Sequence, residues 1–165
     1  MFGLFNKKDN NKSKDIKAFY SMIDGNSIDL SEVNDEMFSK KILGDGIAIK
    51  PTSNVVVSPC NGKIILLTDT KHAIGIENED GIQVLIHIGL DTVKLNGQGF
   101  NTLCKEGDRV KVGEPLINID RELLKREKFS DLVIMVFIEQ NGHKLAVYHI
   151  NQSVKSGDSL LIEYE

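Results

Sequence analysis

The sequence predicts an all-β domain, built as a sandwich or a barrel, on three observations. Short β-branched runs punctuated by glycine fill the chain from Ile42 onward, among them Ile47-Ala48-Ile49, Val55-Val56-Val57, Lys63-Ile64-Ile65-Leu66-Leu67 and residues 132–138. Helical stretches are few and short. An eight-residue pattern, V-K-x-G-acid-x-L-aliphatic, occurs at residues 110–117 and again at 154–161, 44 residues on. Each copy reads as strand, glycine turn, strand, so two related substructures are expected to share one sheet system.

Residues 6–15 contain no apolar side chain and cannot offset their ordering entropy by burial, which predicts a disordered tail over residues 1–15. The tip before them, Met1-Phe2-Gly3-Leu4-Phe5, is too short for a signal peptide or a stable membrane anchor. Residues 16–165 then form one domain. Its helical candidates are a turn over residues 35–41 and a helix over 121–128, where Asp120 is a suitable N-cap. The apolar run 132–138 ends at Glu139, far short of the ~20 residues that span a bilayer.

Composition narrows the function classes. With 41% hydrophobic and 27% charged residues, the 165-residue chain can bury an ordinary core. Twenty basic against 24 acidic side chains give a net charge of −4, without the basic excess that neutralises phosphates, so no nucleic-acid partner is expected. Cys60 and Cys104 are too few for a disulfide scaffold and lack C-x-x-C spacing, so both are read as reduced thiols of a cytoplasmic protein.

The chemistry concentrates on two histidines. In Gly81-Ile82-Gln83-Val84-Leu85-Ile86-His87-Ile88-Gly89-Leu90, a period of two places Ile82, Val84, Ile86, Ile88 and Leu90 on one face and His87 with Leu85 on the other. Residues 71–77, which include His72 and Ile74, read as a second strand, joined to the first through Asn78-Glu79-Asp80-Gly81. With Glu79 and Asp80 as the two loop residues, Asn78 faces Gly81 and His72 faces His87, on a patch lined by Ile74 and Leu85. A bulge making Gly81 a third loop residue would instead put the two rings on opposite faces.

Two neutral imidazoles on an apolar patch suit metal ligation, acid–base work or carriage of a phosphoryl group on a ring nitrogen. Catalytic zinc commonly takes three protein ligands, and no H-x-H, H-E-x-x-H or C-x-x-C motif is present. His143 and His149 are read as structural or surface residues. G-x-S-x-G, G-x-x-x-x-G-K-[ST] and G-x-G-x-x-G are absent, which leaves serine hydrolysis and nucleotide-dependent transfer without support.

Thr70-Lys71-His72-Ala73-Ile74-Gly75-Ile76, followed by Val84-Leu85-Ile86-His87-Ile88-Gly89-Leu90-Asp91-Thr92-Val93, closely resembles the glucose-class enzyme IIA proteins of the bacterial phosphoenolpyruvate-dependent sugar phosphotransferase system. The resemblance extends through Gly44-Asp45-Gly46-Ile47-Ala48-Ile49-Lys50-Pro51, Ser58-Pro59-Cys60-Asn61-Gly62, Leu95-Asn96-Gly97-Gln98-Gly99-Phe100 and Gly107-Asp108-Arg109-Val110-Lys111-Val112-Gly113, and covers residues 28–165. It implies an antiparallel β-sandwich with internal duplication, like the duplicated hybrid motif. It also implies a phosphocarrier in sugar uptake that needs no cofactor and no resident metal.

By that resemblance His87 accepts a phosphoryl group on Nε2 from phosphorylated HPr and passes it to a cysteine on the IIB domain of a sugar permease. His72 supports onward donation, Thr70 hydrogen-bonds within the pair, and Asp91 stands at the pocket edge. Phe38, Val93 and Leu95 are candidates for the apolar rim that receives the partners. The N-terminal segment is short and then polar, unlike the longer amphipathic one of proteobacterial members, so membrane contact is expected only through the permease. Lys40 stands where an acidic residue is common in relatives, and with no IIB-like or IIC-like region the chain reads as a free-standing IIA.

Two other functions compete. A regulatory module would bind partners without carrying phosphate. A zinc hydrolase on a similar sandwich would need H-x-x-x-D and a later H-x-H, but Ile76 lies four residues after His72 and Gly89 two after His87. Removing residues 1–15 is expected to lower the melting temperature, read by calorimetry, by less than the ~2–4 °C that one kcal/mol shifts a domain of this size.

Overall fold

A computed structural model describes residues 16–165; the predicted tail over residues 1–15, with its apolar tip, lies outside the described residues. Three strands open the described region: β1 (Ala18–Tyr20), β2 (Gly25–Asp29) and β3 (Gly46–Pro51). Seven follow without interruption by a long helix: β4 (Val55–Val57), β5 (Gly62–Leu67), β6 (Ala73–Asn78), β7 (Gln83–Ile88), β8 (Phe100–Thr102), β9 (Arg109–Val110) and β10 (Pro115–Ile119). The last four are β11 (Val133–Glu139), β12 (Leu145–Tyr148), β13 (Ser153–Val154) and β14 (Leu160–Tyr164). Strand structure thus starts well before Ile42, because Phe19 and Ile28 supply burial in segments otherwise too polar to read as strands.

The strands form two three-stranded sheets, β1-β14-β12 and β4-β10-β8, and one eight-stranded sheet, β13-β2-β3-β11-β7-β6-β5-β9. All their pairings are antiparallel. The order is symmetric about the β11–β7 junction, and registers match across it. Val57↔Pro115, Val56↔Ile117 and Val55↔Asn118 repeat as Tyr20↔Leu160, Phe19↔Ile162 and Ala18↔Glu163, with a register slip at the same step. Gly62 pairs with Asn78 and Val110, as Gly25 pairs with Pro51 and Val154. The fold is therefore two copies of one seven-strand unit, with β4–β10 inserted whole between β3 and β11. The recurring sequence pattern falls on β9–β10 and β13–β14, which are counterparts.

Each unit begins and ends at one place. Ile119 N–H donates to the Asn54 carbonyl (2.7 Å), and Tyr164 N–H donates to the Lys17 carbonyl (3.0 Å).

The small sheets cover one face of the large sheet. There Ile47, Ile49, Ile64, Ile74, Ile76, Val84, Ile86, Ile88, Val133 and Met135 pack with Phe19, Val56, Ile117 and Ile162 into the main core. A second cluster lies on the opposite face, where Ile28, Ala48, Ile134 and Val136 are covered by Leu30, Val33 and Phe38. These three come from the β2–β3 connection, which holds a 3₁₀ turn and the short helix α1 (Glu36–Ser39), N-capped by Asp35. The second predicted helix is α2 (Arg121–Arg126), with the Asp120 carboxylate accepting from Leu123 N–H (3.0 Å). Both are shorter than the sequence suggests, since helices this short depend on packing rather than propensity.

The glycine turns of the two copies meet. Gly157 has φ +70°, and a Cβ placed on it would lie 2.8 Å from the Gly113 Cα. Gly157 N–H donates to the Ser21 carbonyl (2.7 Å) and Gly113 N–H to that of Ser58 (2.9 Å), so both turns are pinned alike. Gly157→Ala is expected to cost on the order of 1–3 kcal/mol from backbone strain plus the steric displacement. Gly107→Ala, at φ +91° with nothing within 4 Å, should cost less. Urea unfolding of the two variants checks the order.

Candidate functional site

His87 occupies the centre of the large sheet. It lies in β7, opposite Ile134 of β11 on one side and Ala73 of β6 on the other. Alternation sends Val84, Ile86 and Ile88 into the main core and turns His87 and Leu85 to the second face, as predicted. Leu90 departs from that alternation. The strand ends at Ile88, Gly89 has φ +74°, and Leu90 packs with Leu85 and Leu132 against the second cluster.

The hairpin has the bulged register: Ala73, not His72, faces His87, and Glu77 faces Gln83. Gly81 joins the loop as its third residue, and Asn78 N–H donates to the Ile82 carbonyl (2.9 Å). In an unbroken strand this register would carry the histidines to opposite faces. They meet nonetheless, with ring centroids 5.0 Å apart and planes at 80°, because β6 begins only at Ala73. Lys71 takes a left-handed conformation (φ +60°), which frees His72 from the period of two. The patch correspondingly excludes Ile74, which is fully buried in the main core.

Each ring is held by a different acceptor or donor. His87 Nδ1 lies 2.8 Å from the Gly89 carbonyl oxygen, which only accepts, so Nδ1 carries the proton and Nε2 keeps its lone pair. Thr70 Oγ1 lies 2.6 Å from His72 Nδ1. Thr68 closes the same turn, its Oγ1 accepting from Ala73 N–H (3.3 Å) and its carbonyl from Lys71 N–H (2.9 Å). Phe38 stands edge-on to His87 at 5.1 Å between centroids.

Burial, and then the neighbouring His72, lower the His87 pKa; the Gly89 carbonyl, Asp35 and Asp91 oppose the shift. Burial alone lowers that of His72. Both imidazoles are therefore neutral near pH 7, the state in which a ring nitrogen can attack.

The remaining predicted residues divide. Val93 is 48% exposed on the 3₁₀ turn that follows β7, and Asp91 is exposed in a left-handed conformation. Phe38, 3% exposed, is a wall of the site rather than an open rim. Leu95, at 8%, is a correction: its 3₁₀ turn directs the side chain into the main core, so it lines no rim. His143 lies edge-on to Tyr164, and His149 Nε2 lies 2.8 Å from a Glu163 oxygen, both away from the pair. Sequence reasoning missed the Gly89 carbonyl; a glycine two residues past a strand histidine is its only signal. Among the described residues no three His, Cys, Asp or Glu side chains converge, and no helix is long and apolar enough to cross a membrane. Cys60 is buried, its thiol pushed up to about 12 by burial, and Cys104 is also free.

The model of the family described as phosphoenolpyruvate-dependent sugar phosphotransferase system, EIIA 1, matches residues 17–143. The chain belongs to that family. It is 43% identical over 145 residues to a glucoside-specific EIICBA component of Staphylococcus carnosus and 44% identical over 143 residues to a glucose-specific one. These alignments cover 88% and 87% of the chain but only 21% of either relative, so the chain spans about a fifth of their length. Glucose permease IIA from Mycoplasma capricolum shares the fold, with a TM-score of 0.80 at 37% identity, covering 88% of this chain and 94% of that one.

The unfolded chain, with ordinary histidines, takes up protons before the folded one as pH falls. The stability due to neutral His72 and His87 is therefore complete above pH ~6.5 and is lost as pH drops through their lower folded-state values. Urea midpoints measured between pH 7.5 and 5 should fall accordingly, and His87→Gln should flatten the fall.

Proposed function

We propose that this EIIA domain carries a phosphoryl group on His87 during sugar uptake, taking it from phosphorylated HPr and giving it to a cysteine on the IIB domain of a sugar permease. The observation that carries this reading is the His87 ring itself, protonated at Nδ1 toward Gly89 and neutral, with no hydrogen-bond partner on Nε2 among the described residues and the side chain only partly buried. Nε2 attacks phosphorus, an Nε2–P bond forms, and the P–N bond to the carrier's imidazole breaks. The proton stays on Nδ1, donated to the Gly89 carbonyl throughout, so His87 needs no base. In the second step a thiolate attacks, a P–S bond forms, the Nε2–P bond breaks, and His87 returns to its starting tautomer.

His72 serves the phosphorylated state. If the Thr70 hydroxyl donates to His72 Nδ1, the ring proton resides on Nε2 and can donate to a phosphoryl oxygen. The group carries −1.5 to −2 charge near pH 7, which draws on such donors in an apolar site. Asp91 and Val93 are proposed as contacts for the arriving partners, and Phe38 as the wall against which His87 is held.

Incubation with phosphoenolpyruvate, enzyme I and HPr, followed by mass spectrometry, should show one acid-labile phosphoryl group; a purely regulatory module would gain none. His87→Ala should abolish the gain while the protein stays folded. His72→Gln should still accept from HPr but slow donation to IIB by ~100-fold or more. Transfer to IIB at the wild-type rate would remove His72 from the mechanism.

A further inference from the structure

Thr92 is the one fully buried polar side chain of the loop that follows β7. It lies five residues after His87 and hydrogen-bonds to neither imidazole. Its Oγ1 donates to the Ile88 carbonyl, while Gly89 N–H donates to the Leu132 carbonyl (2.6 Å). These carbonyl and N–H groups belong to the same peptide unit, Ile88–Gly89, so that unit is clamped at both ends. The Gly89 carbonyl that receives His87 Nδ1–H hangs from the clamped unit. Packing closes the remaining freedom: a Cβ on Gly89 would lie 2.4 Å from Thr92 Cγ2 and 2.5 Å from the Ser130 carbonyl oxygen.

The geometry points to Thr92 as a positioning residue for phosphoryl transfer, its hydroxyl fixing the Ile88–Gly89 peptide from which hangs the Gly89 carbonyl that sets the tautomer and orientation of His87. The inference rests on the acceptor role of His87 proposed above. The alternative to the clamp is plain. Without the hydroxyl, the buried Ile88 carbonyl loses its side-chain partner and the peptide can rotate toward another. The Gly89 carbonyl then leaves the ring plane, Nδ1–H loses its acceptor, and a share of the molecules moves the proton to Nε2, where it blocks attack on phosphorus. Misplacement of this size slows a reaction by roughly tenfold to a hundredfold.

Thr92→Val keeps the branched shape and the Cγ2 methyl but replaces the hydroxyl by a second methyl; Thr92→Ser keeps the hydroxyl and removes the methyl. Two-bond ¹H–¹⁵N spectra of the His87 ring in the full chain report the tautomer directly, and phosphoryl acceptance from HPr reports the rate. The wild-type and serine proteins should hold the Nδ1–H form, while the valine protein should show a mixture with Nε2–H and accept roughly tenfold more slowly or worse. A folded valine variant with an unchanged tautomer and an unchanged rate overturns the proposal, whatever its melting temperature. Should the valine protein fail to fold, the serine variant decides, because loss of the Nδ1–H form in a folded Thr92→Ser protein also overturns it. A wild-type protein that takes no phosphoryl group at His87 overturns the acceptor role instead, and leaves the tautomer comparison standing.

Discussion

Pairing between β7 and β11 joins the two halves of the molecule and sets the address of His87. It runs from Val133↔Ile88 to Glu139↔Gln83 at the middle of the eight-stranded sheet. A central strand has both neighbours hydrogen-bonded, so its backbone cannot shift without breaking two ladders. The proposed nucleophile, His87, thus rides on a rigid part of the fold, and the elements allowed to vary are the connections around it. One of these, between β2 and β3, brings α1 and Phe38 across the symmetry junction onto His87. Its counterpart between β5 and β6 is only the five-residue turn that delivers His72.

The duplication also explains why there is a single site. Ala73↔His87 corresponds to Gly46↔Val136, so Val136 stands where His87 would be and Asp45 where His72 would be. Val136 is buried in the second cluster, beneath the β2–β3 connection. One copy of the unit leaves this sheet face partly open at His87, where the phosphoryl group is proposed to sit, and the other buries the same face as core. The main core on the far side is shared by both copies, so the two duties separate without loss of packing.

Most of the fold was legible because strands with one buried face write a period of two into the chain. Val84, Ile86 and Ile88 against Leu85 and His87 illustrate it, and the recurring turn pattern at 110 and 154 exposed the duplication. Two things escaped for a common reason, that a break in backbone regularity hides from periodicity. The Gly81 bulge shifted the register, and the left-handed Lys71 undid the consequence of that shift, so the histidines meet by a route the alternation does not describe. Leu95 misled because a 3₁₀ turn redirects side chains within one residue. The Gly89 carbonyl left no trace in side-chain identity, since the group that orients His87 is backbone. The family resemblance placed both histidines where pattern alone left three chemistries open.

The bond between Tyr164 and Lys17 has a mechanical meaning. A domain whose first and last strands leave from one spot, as β1 and β14 do, behaves under a tether like a door on a single hinge. A pull applied through either of these two strands would load the β1–β14 ladder, which lies in a three-stranded sheet separate from the eight-stranded one that carries His87. The inserted unit repeats that arrangement at Asn54 and Ile119, so lengthening the chain at this internal seam would add slack without re-routing a strand.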